Sequence, residues 1–146
     1  MKSLIIACVF TLISSFSTAQ ILEPVKWEFK VTQNKDTSYT LTATSKMEKN
    51  WAIYSQHTGK GGPIALEFVY ENEVQLLGET KEESEAIKKM SKMFDMEVIK
   101  FENEAIFTQI FKPTKGQTSI KGYVTFMCCD NKRCLPPTDV EFDVAL

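Results

Sequence analysis

The chain has a single histidine, His57, and it lies in a glycine-bearing stretch with no second histidine to pair with. A histidine-based zinc centre or a nucleophile–histidine–acid triad therefore lacks its parts, and His57 reads as a solvated loop residue. No glycine-rich phosphate loop and no paired-carboxylate site stands out, so hydrolase chemistry has no support. The formal charge is −2 with no basic run, which argues against a nucleic-acid partner. Beyond the first residues no apolar stretch approaches the roughly 20 residues that cross a bilayer. Internal repeats and low-complexity tails are also lacking. What is left, within 146 residues, is enough chain for one domain with a real core.

Residues 1–19 read as a secretory signal peptide and not as part of the fold. Lys2 supplies the positive start, Leu4 to Ile13 the apolar segment, and Ser17-Thr18-Ala19 the small residues a signal peptidase reads. Cleavage after Ala19 leaves residues 20–146 as the exported domain. Ile5-Ile6-Ala7-Cys8 loosely matches a lipid-attachment box, but the apolar run continues past Cys8, so Cys8 is expected to be discarded. An exported compartment is oxidising, and cysteine pairs persist there.

The mature segment reads as all-β. Val25, Trp27, Phe29 and Val31 alternate with polar residues, as do Tyr39, Leu41 and Ala43. Strand character recurs at Trp51 to Tyr54, Ile64 to Tyr70, Val74 to Leu77, Phe94 to Phe101, Glu104 to Phe111 and Val140 to Leu146. Glu79 to Lys92 is charged and without β-branched runs, and reads as a short helix or an ordered loop. Thr118 to Met127 is the clearest strand, with Ile120, Gly122, Val124 and Phe126 on one face. About eight or nine short strands with regular turns predict a β-sandwich.

Cys128, Cys129 and Cys134 stand together between the last two of these strands. Strand neighbours face opposite ways, so Cys128 continues the Val124–Phe126 face while Cys129 points to the other. Pairing Cys134 with Cys129 encloses four residues and pairing it with Cys128 encloses five. Both rings are too small to restrict the unfolded chain much, so a stability role is a poor reason for either bond. A small, reachable disulfide suits thiol–disulfide exchange better. Lys132 and Arg133 favour a thiolate, and Asp130 opposes it. Pro136 and Pro137 remove two backbone donors and end the strand ladder.

The block Phe126-Met127-Cys128-Cys129-Asp130-Asn131-Lys132-Arg133-Cys134-Leu135-Pro136-Pro137 resembles the N-terminal periplasmic domain of DsbD-type thiol:disulfide interchange proteins. Val25-Lys26-Trp27, Trp51-Ala52-Ile53-Tyr54 and Gly61-Gly62-Pro63-Ile64 add to the resemblance. It implies an immunoglobulin-like β-sandwich with a cap loop over a cysteine pair. By resemblance Cys134 is the second cysteine of that pair and Cys129 the first, with Cys128 the alternative to Cys129. The cap falls around Met93-Phe94-Asp95, with Phe94 as the shielding ring and Trp51 and Tyr54 as an opposing aromatic wall. Asp95 follows the phenylalanine where family members place acidic residues before it.

The same resemblance implies exchange with thioredoxin-like or other periplasmic thiol proteins, without a cofactor because the electrons stay on sulfur. The sequence holds neither a membrane electron carrier nor a thioredoxin-like domain, so a separate membrane donor is expected. Two other readings remain open at this point. One is a β-sandwich binding module with a structural disulfide. The other is copper handling, since Met90, Met93, Met96 and Met127 offer thioethers beside the thiols, a donor set that suits Cu(I).

Overall fold

The computed structural model describes residues 22–146, so the signal-peptide segment and Cys8 lie outside the described residues. Among the described residues there is no helix, and hence none long and apolar enough to cross a membrane. The strands are β1 (Val25–Gln33), β2 (Tyr39–Met47), β3 (Ala52–Tyr54), β4 (Glu67–Tyr70), β5 (Val74–Leu76) and β6 (Lys81–Glu82). They continue with β7 (Ile87–Ser91), β8 (Met96–Glu102), β9 (Glu104–Pro113), β10 (Ser119–Phe126), β11 (Cys128–Cys129) and β12 (Thr138–Ala145).

These strands build an immunoglobulin-like β-sandwich from three antiparallel sheets. One runs β1-β2-β9-β5 with β6 also on β9, a second β12-β10-β4, and a third β11-β3-β8-β7. The alternation in β1 and β2 has its expected cause: the strands pair from Val25↔Met47 to Gln33↔Tyr39, and one face meets the core. That core gathers Ala43, Ile53, Phe101, Phe107, Val124 and Phe126 from strands of all three sheets. A neighbouring cluster holds Leu41, Phe111, Ile120 and Phe142. Gly122 sits on the inward face of β10 because its Cα lies against the Val69 carbonyl of β4, where a Cβ has no room.

Three segments differ from the sequence reading. Residues 79–92 form neither a helix nor a plain loop; they contain β6 and β7. β7 is an edge strand, mostly exposed and paired only with β8, so nothing imposes an apolar alternation on it. Phe94 is not in a strand, because the chain turns through residues 92–95 and β8 begins at Met96. The strand expected from Ile64 is confined to β4, starting at Glu67 after the turn that Pro63 follows.

Candidate functional site

β10 ends at Phe126, and after Met127 the chain re-enters a sheet as β11, opposite β3 with Cys128↔Ile53 and Cys129↔Ala52. The pleat sends the two cysteines to opposite sides. Cys128 is buried in the main core with Ile53, Val124 and Phe126, and its thiol is free. Cys129 joins a separate small cluster with Tyr54 and Val98, against which Phe94, Met96, Met127 and Cys134 pack. Burial raises the Cys128 thiol above its ordinary range, so it is held protonated and uncharged.

Cys129 and Cys134 form a disulfide. The backbone explains why these two meet. Asp130 N–H donates to the Arg133 carbonyl at 2.9 Å and Leu135 N–H donates to the Cys128 carbonyl at 2.9 Å. Cys129 and Cys134 are therefore the close, non-hydrogen-bonded pair of a tight hairpin, with Cα atoms 4.0 Å apart. The hairpin is closed by Asp130, whose Oδ1 accepts from the Lys132 N–H at 2.7 Å and the Arg133 N–H at 2.8 Å. Those two amides hold its carboxyl below the usual carboxylate range. Pro136 and Pro137 lack the donors to carry the ladder further.

The two sulfurs differ in access. Cys129 is 4% exposed, whereas Cys134 is half-buried. What covers Cys134 is the tip of the β7–β8 hairpin. Met93 Sδ lies 3.2 Å from Cys134 Sγ, a direct sulfur–sulfur contact across 41 positions of sequence. Phe94 sits beside it, its ring edge-on to Tyr54 with centroids 6.0 Å apart. Asp95 takes a positive φ of 51°, which turns the chain into β8. Under the tip lies the glycine-bearing loop: a Cβ on Gly62 would come 2.6 Å from Met96 Sδ, and one on Gly59 3.0 Å from Met96 Cε. Beside the disulfide opens a cavity of about 260 Å³, lined by Cys129, Tyr54, Met90, Met93, Lys89 and Lys92 among others.

The structure brings Cys129, Cys134, Phe94 and Tyr54 together. Trp51 instead belongs to the main core, with the Arg133 guanidinium 5.9 Å from its ring centroid. The reason is again the pleat, which gives the cavity side of β3 to Ala52 and Tyr54 and the core side to Ile53. Within the cap segment expected at Met93-Phe94-Asp95, the residue in direct contact with sulfur is Met93, whereas the resemblance singles out Phe94 as the shielding ring. His57 is exposed. No group of three or more His, Cys, Asp or Glu is placed to hold a metal among the described residues.

Comparison with known proteins bears on the family and the fold. Residues 18–146 match the family described as thiol:disulfide interchange protein DsbD, N-terminal. The fold is similar to the N-terminal periplasmic domain of ScsB from Proteus mirabilis, with a TM-score of 0.64 at 15% identity. That match covers 84% of this chain and 46% of the other, so the chain spans under half of that relative's length. It is also similar to the DsbD N-terminal domain of Neisseria meningitidis in the reduced form, with a TM-score of 0.56 at 17% identity. The second match covers 86% of this chain and 90% of that one. No curated protein matches the chain.

Proposed function

The chain belongs to the family of DsbD N-terminal thiol:disulfide interchange domains, and from that premise we propose that it is an exported carrier of electrons between partner proteins. Residues 1–19 serve as its cleaved leader and residues 20–146 as the working domain. Cys129 and Cys134 are the redox pair, and the partners are thioredoxin-like or other thiol proteins of the same compartment. The electrons originate from a membrane donor.

The observation that carries this reading is the unequal access of the two sulfurs. A partner thiolate attacks the half-buried Cys134 Sγ, which makes the mixed disulfide and breaks the Cys129–Cys134 bond. Cys129 leaves as a thiolate and takes up a proton. The partner's second thiol then attacks the mixed disulfide and releases Cys134, so two electrons have passed to the pair. With an oxidised partner the same steps run in reverse, and Cys129 resolves the intermediate. Cys128 takes no part, being buried on the other face with a protonated thiol.

Single-cysteine trapping tests the assignment. In a Cys128→Ala background, Cys129→Ser should accumulate a mixed disulfide with an oxidised thioredoxin-fold protein, and Cys134→Ser should not. Equal trapping by both variants would exclude Cys134 as the entry sulfur. Undiminished reduction of a partner disulfide by both would exclude the pair altogether.

A further inference from the structure

Three sulfur atoms from two distant parts of the chain meet at this site, and exchange needs only two of them. Met93 Sδ touches Cys134 Sγ at 3.2 Å, and Cys134 is bonded to Cys129. A fourth sulfur is close: Met90 and Met93 line the same cavity of about 260 Å³ as Cys129. Met90 and Met93 are 64% and 45% exposed, unusual for residues whose only task is to fill a core. We infer that the reduced domain binds one Cu(I) ion between the Cys129 and Cys134 thiolates and the Met93 thioether, with Met90 at the mouth of the cavity.

The donor set selects the metal. Thiolates with thioethers suit a soft monovalent ion, whereas zinc asks for four ligands drawn from Cys, His and carboxylate. A centre of one Cu(I) and two thiolates carries a net charge of −1, and the cavity wall, with Lys89, Lys92 and Lys100 against Asp130, favours that sign. Cys129 sits in an apolar cluster with Tyr54 and Val98, which gives the site one apolar wall. On binding, two S–H bonds break, two Cu–S bonds to thiolate and one to thioether form, and two protons go to solvent. No electron moves. Copper and the disulfide therefore exclude one another, and a filled site withdraws the domain from exchange.

This inference rests on the exchange reading in one respect only: the pair must be reducible. The test reduces the full exported chain, removes the reductant without air, and counts the free thiols of Cys129 and Cys134 with a chromogenic reagent. Cu(I) is then titrated against bicinchoninate. The expected result is one Cu(I) per chain, lost in Cys134→Ser. Met93→Leu should weaken binding by roughly tenfold or more, the scale on which metal sites lose affinity when a supporting group is removed. X-ray absorption should show sulfur ligands alone, three in number, falling to two in Met93→Leu. A pair that stays oxidised sinks both the copper site and the exchange reading. Free thiols without stoichiometric copper sink the copper site and leave exchange standing. Wild-type affinity and three sulfur ligands in Met93→Leu also overturn the site, because Met93 would then be packing only.

Discussion

Cys128 and Cys129 are adjacent residues with opposite chemistry, and the pleat of a two-residue strand makes the difference. Cys129 faces the small cluster under the cap and is bonded to Cys134, while Cys128 is 5% exposed in the main core. Among the described residues of the oxidised protein Cys128 is thus the thiol left to titrate, and burial disfavours its thiolate. Its folded pKa lies above the ordinary value of 9.0, so the unfolded chain gives up that proton first as pH rises. Stability from this residue is fully present below about pH 9 and declines above it. Cys128→Ala should cost about 1 kcal/mol at pH 7 through lost packing, with trapping at Cys134 unchanged. Urea melts at pH 7 and above pH 9 should show the gap between wild type and variant narrowing. Tyr54 is raised by burial in both proteins, and the smaller contribution of the Cys128 charge, lost in the variant, narrows the gap in the same direction. A gap that stays constant or widens with pH would contradict the buried, protonated thiol.

The β7–β8 hairpin lays Met93 against Cys134, and it rests on glycines. Met96 at the start of β8 lies over Gly59 and Gly62, and the tip that carries Met93 and Phe94 precedes it. A Cβ on Gly62 displaces the Met96 side chain, which is flexible enough to move without unfolding the domain. Forcing a rotamer change costs about 1 kcal/mol, and a shift of that size changes a closed–open equilibrium roughly fivefold. Gly62→Ala should therefore speed reduction of the disulfide by dithiothreitol about fivefold in stopped-flow thiol kinetics. Gly61 serves as the control. It has a φ of 95° but nothing within 4 Å of a Cβ, so Gly61→Ala should lower stability without speeding reduction. Equal acceleration in both variants would mean general loosening and not a supported cap. This element was also the least legible in the sequence. β1 and β10 announced themselves because one face of each is buried, and Cys128 and Cys129 could be assigned to faces for the same reason. β7 is Ile87-Lys88-Lys89-Met90-Ser91 on an exposed edge, where no pattern is imposed and none can be read. The resemblance carried by the cysteine block places a cap around Met93-Phe94-Asp95, but the Met93–Cys134 contact itself joins positions that only the folded hairpin brings together.

At the scale of the whole molecule, the disulfide stands outside the structure that holds the domain together. The two larger clusters draw mainly on β1, β2, β9, β10 and β12, with Trp51, Ile53, Leu66, Phe101 and Cys128 completing the first, and neither contains Cys129 or Cys134. The hairpin between the cysteines is closed by Asp130 and two backbone hydrogen bonds, none of which involves a sulfur. Opening so small a ring releases little constraint on the unfolded chain, roughly 2 kcal/mol in the chain-entropy picture against about 5 for a ring of about 100 residues. For a domain of this size each kcal/mol moves Tm by roughly 3–5 °C, so reduction should lower it by about 6–10 °C while unfolding stays cooperative. Ile53, 0% exposed in the centre of the first cluster, provides the contrast. Ile53→Ala should cost about 2–5 kcal/mol in the oxidised protein, as much as breaking the disulfide or more. Calorimetry of wild type with and without a phosphine reductant, beside oxidised Ile53→Ala, reads all three. A reduced protein without a cooperative transition at 25 °C would show that the bond is a staple after all. The proposed exchange, which parts the sulfurs in each cycle, requires the other outcome, and the placement of the core supports it.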